Sequence, residues 1–167
     1  MALEWDQVKH VFEPDGFVRE IHVRNAGIEG WQRFIDALRQ SDYNYTYSLD
    51  NKEPALLQRA QQAFDEYRDI GSSLSVTVDS VLILVHFFDP QHIETSIDPR
   101  EITGPDRLGI IFDWMKFLAG STGQHAILAP EGSPHDVLIE VSAAGEVIHV
   151  SPRHVFRRRW YWPFVSR

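Results

Sequence analysis

A chain of 167 residues, 43% of them hydrophobic, is long enough to bury a real core in one domain. No apolar run approaches the roughly 20 residues a membrane-spanning helix needs, and the absence of cysteine excludes disulfides, thiolate nucleophiles and cysteine-held zinc. The net charge of −8 is unevenly spread: residues 153–167 carry five arginines and no carboxylate, leaving 11 basic and 24 acidic side chains, or −13, on residues 1–152. Such a body repels nucleic acid and anionic membranes and draws a basic partner.

The opening "MALEWDQVKHVFEPDG" has acids by residue 6 and no apolar signal region, so a cytoplasmic protein is expected. "GFVREIHVR" predicts the first strand, with Phe17, Ile21 and Val23 on one face and Glu20 and His22 on the other. "GIEGWQRFIDALRQ" repeats Ile28, Trp31, Ile35 and Leu38 at helical spacing. "YNYTYSLD" predicts a strand with Tyr43, Tyr45 and Tyr47 on one side. From Pro54 to Tyr67, the stripe Leu56, Leu57, Ala60, Ala63, Phe64 and Tyr67 predicts a second helix, stopped at Gly71.

"SLSVTVDSVLILVHFF" predicts two strands with a turn at Asp79-Ser80. Val81 to Phe88 is apolar at nearly every position, which predicts a central strand covered on both faces. After Asp89-Pro90, "HIETSID" alternates: Ile93, Thr95 and Ile97 one way, Glu94, Ser96 and Asp98 the other. The third helix, Asp106 to Gly120, has a narrow polar stripe of Asp106, Gly109, Asp113, Lys116 and Gly120. One sheet cannot cover the remaining apolar surface, so another helix, the C-terminal segment or a second chain must share it. "HAILAP", "DVLIEVS" and "EVIHVS" complete the strands. The order predicts an α+β fold, a mostly antiparallel sheet with about three helices packed largely on one side, in a single domain spanning 1–167.

The chain has no P-loop, GxGxxG, GxSxG or HExxH motif. "AGSTGQH" lacks a phosphate-loop lysine and predicts a helix cap. His86, Asp89, His92 and Glu94 are metal-ligand types within nine residues, but their spacing follows no zinc pattern. The favoured reading has no metal, no cofactor and no catalytic residue, with His86 a satisfied sheet histidine. Glu131, His135 and Asp136 lie in the loop "PEGSPHD", with Ser133 the nearest hydroxyl, and name no nucleophile–base pair. Glu94, Asp98 and Glu101 read as a solvated acidic face suited to binding a partner.

The segment "RHVFRRRWYWPFVSR" admits three readings: a nucleic-acid hook, a membrane-surface anchor, or a strap folded onto the body. The acidic body disfavours the first, and a short segment holding a proline disfavours the second. Apolar surface on the third helix, through Ile110, Trp114 and Phe117, favours the strap. The same surfaces could join a homodimer.

"VHFFDPQHIETSIDPREI", the helix "LGIIFDWMKFLAG" and the strand "HAILAPEG" together resemble a loose group of small bacterial α+β proteins, some of which are immunity proteins encoded beside secreted toxins. The resemblance covers about residues 75–140 and carries no catalytic motif. It implies a binding protein whose acidic face blocks a toxin. Negative charge without a catalytic motif adds the expectation of a non-enzymatic protein that blocks a basic toxin through a surface including Glu94, Asp98 and Glu101. The alternatives are a small hydrolase-like enzyme built on groups around 86–94 or 131–136, and an adaptor acting through the Arg/Trp segment on nucleic acid or a membrane.

Overall fold

The computed structural model describes residues 3–152. Eight antiparallel strands form one sheet in the order β2-β3-β4-β5-β1-β6-β7-β8. They are β1 Arg19–Val23, β2 Asn44–Leu49, β3 Ser72–Val78, β4 Val81–Asp89, β5 His92–Ile97, β6 Ala126–Pro130, β7 Ile139–Val141 and β8 Val147–Val150. The helices are α1 Trp5–Val8, α2 Gly27–Gln40, α3 Gln61–Asp65 and α4 Pro105–Thr122. The fold is α+β, dominated by the sheet. Among the described residues no helix is long and apolar enough to cross a membrane.

Alternation places the core. Ile21 and Val23 of β1, Leu74 and Val76 of β3, Val81, Ile83 and Val85 of β4, and Ile93 and Ile97 of β5 are all buried with the apolar faces of α2 and α4. The two long helices also pack on each other, so α2 takes up much of the apolar circumference of α4. Their meeting surface is aromatic. Phe34 of α2 stands edge-on to Trp114 of α4 at 6.0 Å, and Trp114 stacks on Phe117 at 5.5 Å and meets Tyr43 at 5.4 Å. The Trp114 indole N–H donates to the Thr95 hydroxyl at 3.3 Å, satisfying its one polar atom inside the core. The expected polar stripe of this helix does face outward at Asp106, Asp113, Lys116 and Gly120.

Buried Arg19 closes one end of β1. Its guanidinium donates to the carbonyls of Val11 at 2.7 Å and Glu13 at 2.9 Å and to the Asp15 carboxylate at 3.1 Å. The N-terminal segment is thereby fastened to the sheet. At the other end, His10 Nε2 lies 3.0 Å from the carbonyl of Ser151, just past β8.

Three expectations are corrected. Val81 to Phe88 is not covered on both faces: Val81, Ile83 and Val85 are buried, but Leu82 and Leu84 are 41% and 38% exposed. Between Pro54 and Tyr67 only Gln61–Asp65 is α-helical. Leu56, Leu57 and Ala60 are still buried, because apolar anchors can pin an irregular segment as well as a helix. Phe17 does not join Ile21 and Val23; it precedes β1 and is 52% exposed. The Asp79-Ser80 turn stands where expected, with both residues at positive φ (43° and 70°), as a tight hairpin requires. The expected strap at 153–167 lies outside the described residues.

Replacing Trp114 by Ala removes a fully buried ring and strands the Thr95 hydroxyl. The expected loss is about 3–5 kcal/mol, read from the urea midpoint at unchanged m-value. Half-exposed Ile148→Ala, in the same assay, should cost no more than about 0.5 kcal/mol.

Candidate functional site

The helices cover one face of the sheet, and the register lays out the other in rows. One row crosses every strand: Ser48, Ser73, His86, Glu94, His22, Ile127, Glu140 and His149. A second runs Thr46, Ser75, Leu84, Ser96, Glu20 and Ala129. Where the strands are central, these rows bring Glu20, His22, Glu94 and Ser96 side by side. Each occupies a position where an ordinary two-layer core would have nothing to bury.

His22 is the centre of the group and is only 2% exposed. Its Nδ1 lies 2.8 Å from Nε2 of His92, and its Nε2 lies 3.1 Å from Oε2 of Glu20. That same Glu20 oxygen accepts the Gly132 N–H at 3.1 Å. Glu94 is the direct cross-strand partner of His22 and shares a strand face with His92 two residues before it. His86, on the next strand, bonds Ser96 Oγ at 2.8 Å and stacks on Phe88. The expectation of a satisfied sheet histidine at 86 therefore describes its hydrogen bonding.

Two local devices set this geometry. The first is the β4–β5 turn that carries His92. The β4 register breaks between His86 and Asp89, and the Asp89 carboxylate accepts the Gln91 N–H at 2.8 Å. The Trp31 indole N–H holds the Asp89 carbonyl at 3.0 Å, and Gly27 N–H donates to the Gln91 carbonyl at 3.4 Å. Gly27, at φ +64°, lets the chain turn sharply enough from β1 into α2 to make that approach. The second is the loop between β6 and β7. Glu131 accepts the Val18 N–H, Gly132 bonds Glu20, and the Arg24 guanidinium donates to the Pro134 carbonyl. Ile127 and Ala129 are buried although they lie on the face away from the helices.

Shielding from water governs the protonation states. Burial pushes the His22 imidazole down to about 4, helped by the neighbouring charges of His92 and Arg24. The contact between His22 and Glu20 is thus a hydrogen bond from a neutral imidazole at neutral pH. Burial also lowers His92, with Asp89 opposing, and lowers His86. Burial raises the Glu20 carboxyl, with the charge of Glu131 adding and the Gly132 bond opposing. Glu94 is raised by burial and then by the charge of Glu20.

The sequence-expected residues fall as follows. Glu94 lies in the cluster. Asp98 is not beside it; it caps the short 3-10 turn Pro99–Glu101 and grips Arg100 through backbone and side chain, its closest contact at 2.5 Å. Glu101 accepts the Leu82 N–H at 2.8 Å. His86 and His92 are on the same face, and His92 reaches His22 rather than His86. Glu131 of the 131–136 loop enters through its charge on Glu20. Sequence reading missed His22 and Glu20 as members of this group, although the alternation of "GFVREIHVR" had already put both on the face away from the core. His22, His92 and Glu94 could hold a metal ion, since one donor atom from each lies within 4.8 Å of the others.

Comparison with protein-family models, with curated proteins and with solved structures returns no match.

Below its unfolded value near 6.5, the unfolded chain protonates His22 before the folded chain does. His22 therefore contributes stability that is complete above about pH 6.5 and is lost as pH falls toward 4. His22→Gln should lose less stability than the parent between pH 7 and 5, compared by urea unfolding at each pH. The His22 ring resonances of the parent should titrate near pH 4.

Proposed function

We propose that the protein is a non-enzymatic binding protein of the immunity type, which holds a basic toxin against the open face of its sheet. The observation that carries this reading is a strip of large apolar side chains on that face. Leu82, Leu84 and Phe88 project from β4, and Phe88 is 73% exposed. Aromatic and aliphatic side chains ringed by polar groups are the usual anchors of a protein interface. Glu94 opposes His86 beside this strip, Glu101 bonds the backbone of Leu82, and Asp98 stands just past the end of β5. The partner's chemistry follows from charge: 24 acidic against 11 basic side chains on residues 1–152 favour a cationic surface.

In this reading the apolar strip supplies affinity, and Asp98 and Glu101 at its border steer encounter. The toxin encoded beside the gene, in catalytically inactive form, is the probe. Leu84→Ser/Phe88→Ser should weaken its binding by about 100-fold or more, mainly through faster dissociation, while leaving the melting temperature near the parent's. Asp98→Lys/Glu101→Lys should instead slow association and flatten its salt dependence. Equal binding by the parent and the serine variant, or a neighbouring toxin that does not bind the parent, refutes the proposal.

A further inference from the structure

We infer that His22, His92 and Glu94 form a binding site for one divalent transition-metal ion of the zinc class, independent of any protein partner. The donor set is two imidazoles and one carboxylate, the types that zinc and its neighbours select when thiolates are absent. Their spacing suits a single ion. Two nitrogens bonded to one tetrahedral ion at about 2.0–2.1 Å each stand roughly 3.3 Å apart, and His22 Nδ1 and His92 Nε2, 2.8 Å apart, reach that with a shift of about 0.5 Å. The carboxylate oxygen completes a triangle within 4.8 Å.

A hydrogen bond between the two rings would account for the 2.8 Å separation alone. It does not account for the rest of the arrangement. His22 presents Nδ1 to the cluster because Nε2–H is directed to Glu20, and Glu20 is itself fixed by the Gly132 amide. A carboxylate behind a ligating histidine is the usual outer support of a metal site, fixing the ring's tautomer and strengthening the donor. Glu94 accepts no hydrogen bond from a side chain among the described residues and stands on the same half-buried face as Glu20. A cation between the rings and Glu94 offsets both the repulsion between the carboxylates and the cost of shielding them.

The charges around the site are mixed. Glu20 and Glu94 face it, Asp89 lies toward His92, and Arg24, whose charge reaches both histidines, is drawn to the Pro134 carbonyl. Binding an ion displaces the proton held between the two rings. The ligands stand on adjacent strands in fixed register, β1 and β5, so little ordering is left for binding to impose. Three protein ligands leave a tetrahedral ion one position open.

The test uses the full chain without a histidine tag, stripped by chelator and titrated calorimetrically with zinc chloride near neutral pH, with cobalt(II) absorption reporting coordination. One equivalent should bind, with a cobalt spectrum of four-coordinate type. His92→Gln and Glu94→Gln are partly exposed, conservative changes that should keep the fold by circular dichroism and weaken zinc at least about 10-fold. Glu20→Gln should weaken it by about 10–100-fold without removing a ligand. His125→Gln alters the exposed His125–Glu140 pair at the other end of the same face and should leave zinc affinity unchanged. Less than stoichiometric binding by the parent, or equal loss in His125→Gln and in the cluster variants, overturns the site. Neither result bears on toxin binding, which is measured with chelator present.

Discussion

The hydrogen bond from the Trp31 indole to the Asp89 carbonyl joins the two halves of this molecule. On one side of it lies the aromatic core. Trp31 stacks on Phe87 at 5.0 Å, meets Phe64 at 5.4 Å and continues through Phe34 to Trp114 and Phe117. On the other side lies the β4–β5 turn, and the first strand residue after it is His92. A buried indole must place its N–H on an acceptor. Here the acceptor is the carbonyl of a residue at a register break, where the sheet ladder is disturbed. The core therefore fixes the position of a side chain on the opposite face of the sheet. Without that restraint, the turn would be held by the Asp89–Gln91 bond and the contact with Gly27.

A sheet packed on one face only has to do something with the other. Most antiparallel sheets leave it solvated, and the outer rows here begin that way, with Ser48, Ser73, Ser75 and Thr77 toward the β2 edge. The centre departs from this in two directions. β4 contributes Leu82, Leu84 and Phe88, which are apolar and in contact with water. β1 and β5 contribute Glu20, His22, Glu94 and Ser96, which are polar and removed from water to differing degrees. Each set costs stability relative to its exchange with the other. Sequences that keep local conflicts of this kind do so where a surface has work beyond folding.

The elements were legible in the sequence wherever period and punctuation agreed. The helix 27–40, the Asp79-Ser80 hairpin, the alternating 92–97 strand and the long 105–122 helix all follow from residue pattern. Two failures share a cause. An unbroken apolar run at 81–88 and an apolar stripe at 56–67 each record how many side chains could be buried, not how many layers exist to bury them. β4 has one layer and spends its other side chains on the open face. The 54–60 segment buries Leu56 and Leu57 without helical hydrogen bonds. The cluster was half legible: alternation assigned Glu20, His22, Glu94 and Ser96 to outward faces. Their meeting depends on β1 lying between β5 and β6, a non-local pairing that no local pattern specifies.

Outward-facing polar residues on a sheet are ordinarily hydrated. His22 is only 2% exposed, and burial is the first cause of its lowered basicity. The 131–136 loop brings the Gly132 amide onto Glu20 and takes the Arg24 guanidinium at Pro134, and Ile127 and Ala129 of the preceding strand are buried. Three connections hold it to β1 and the residues flanking that strand, yet its own residues Glu131, Gly132, His135 and Asp136 are exposed. A segment tied by a few polar contacts with little buried apolar area belongs to the low-stability part of a fold. The strands supply the positions of the donors in fixed register, and the loop adds the amide that holds Glu20.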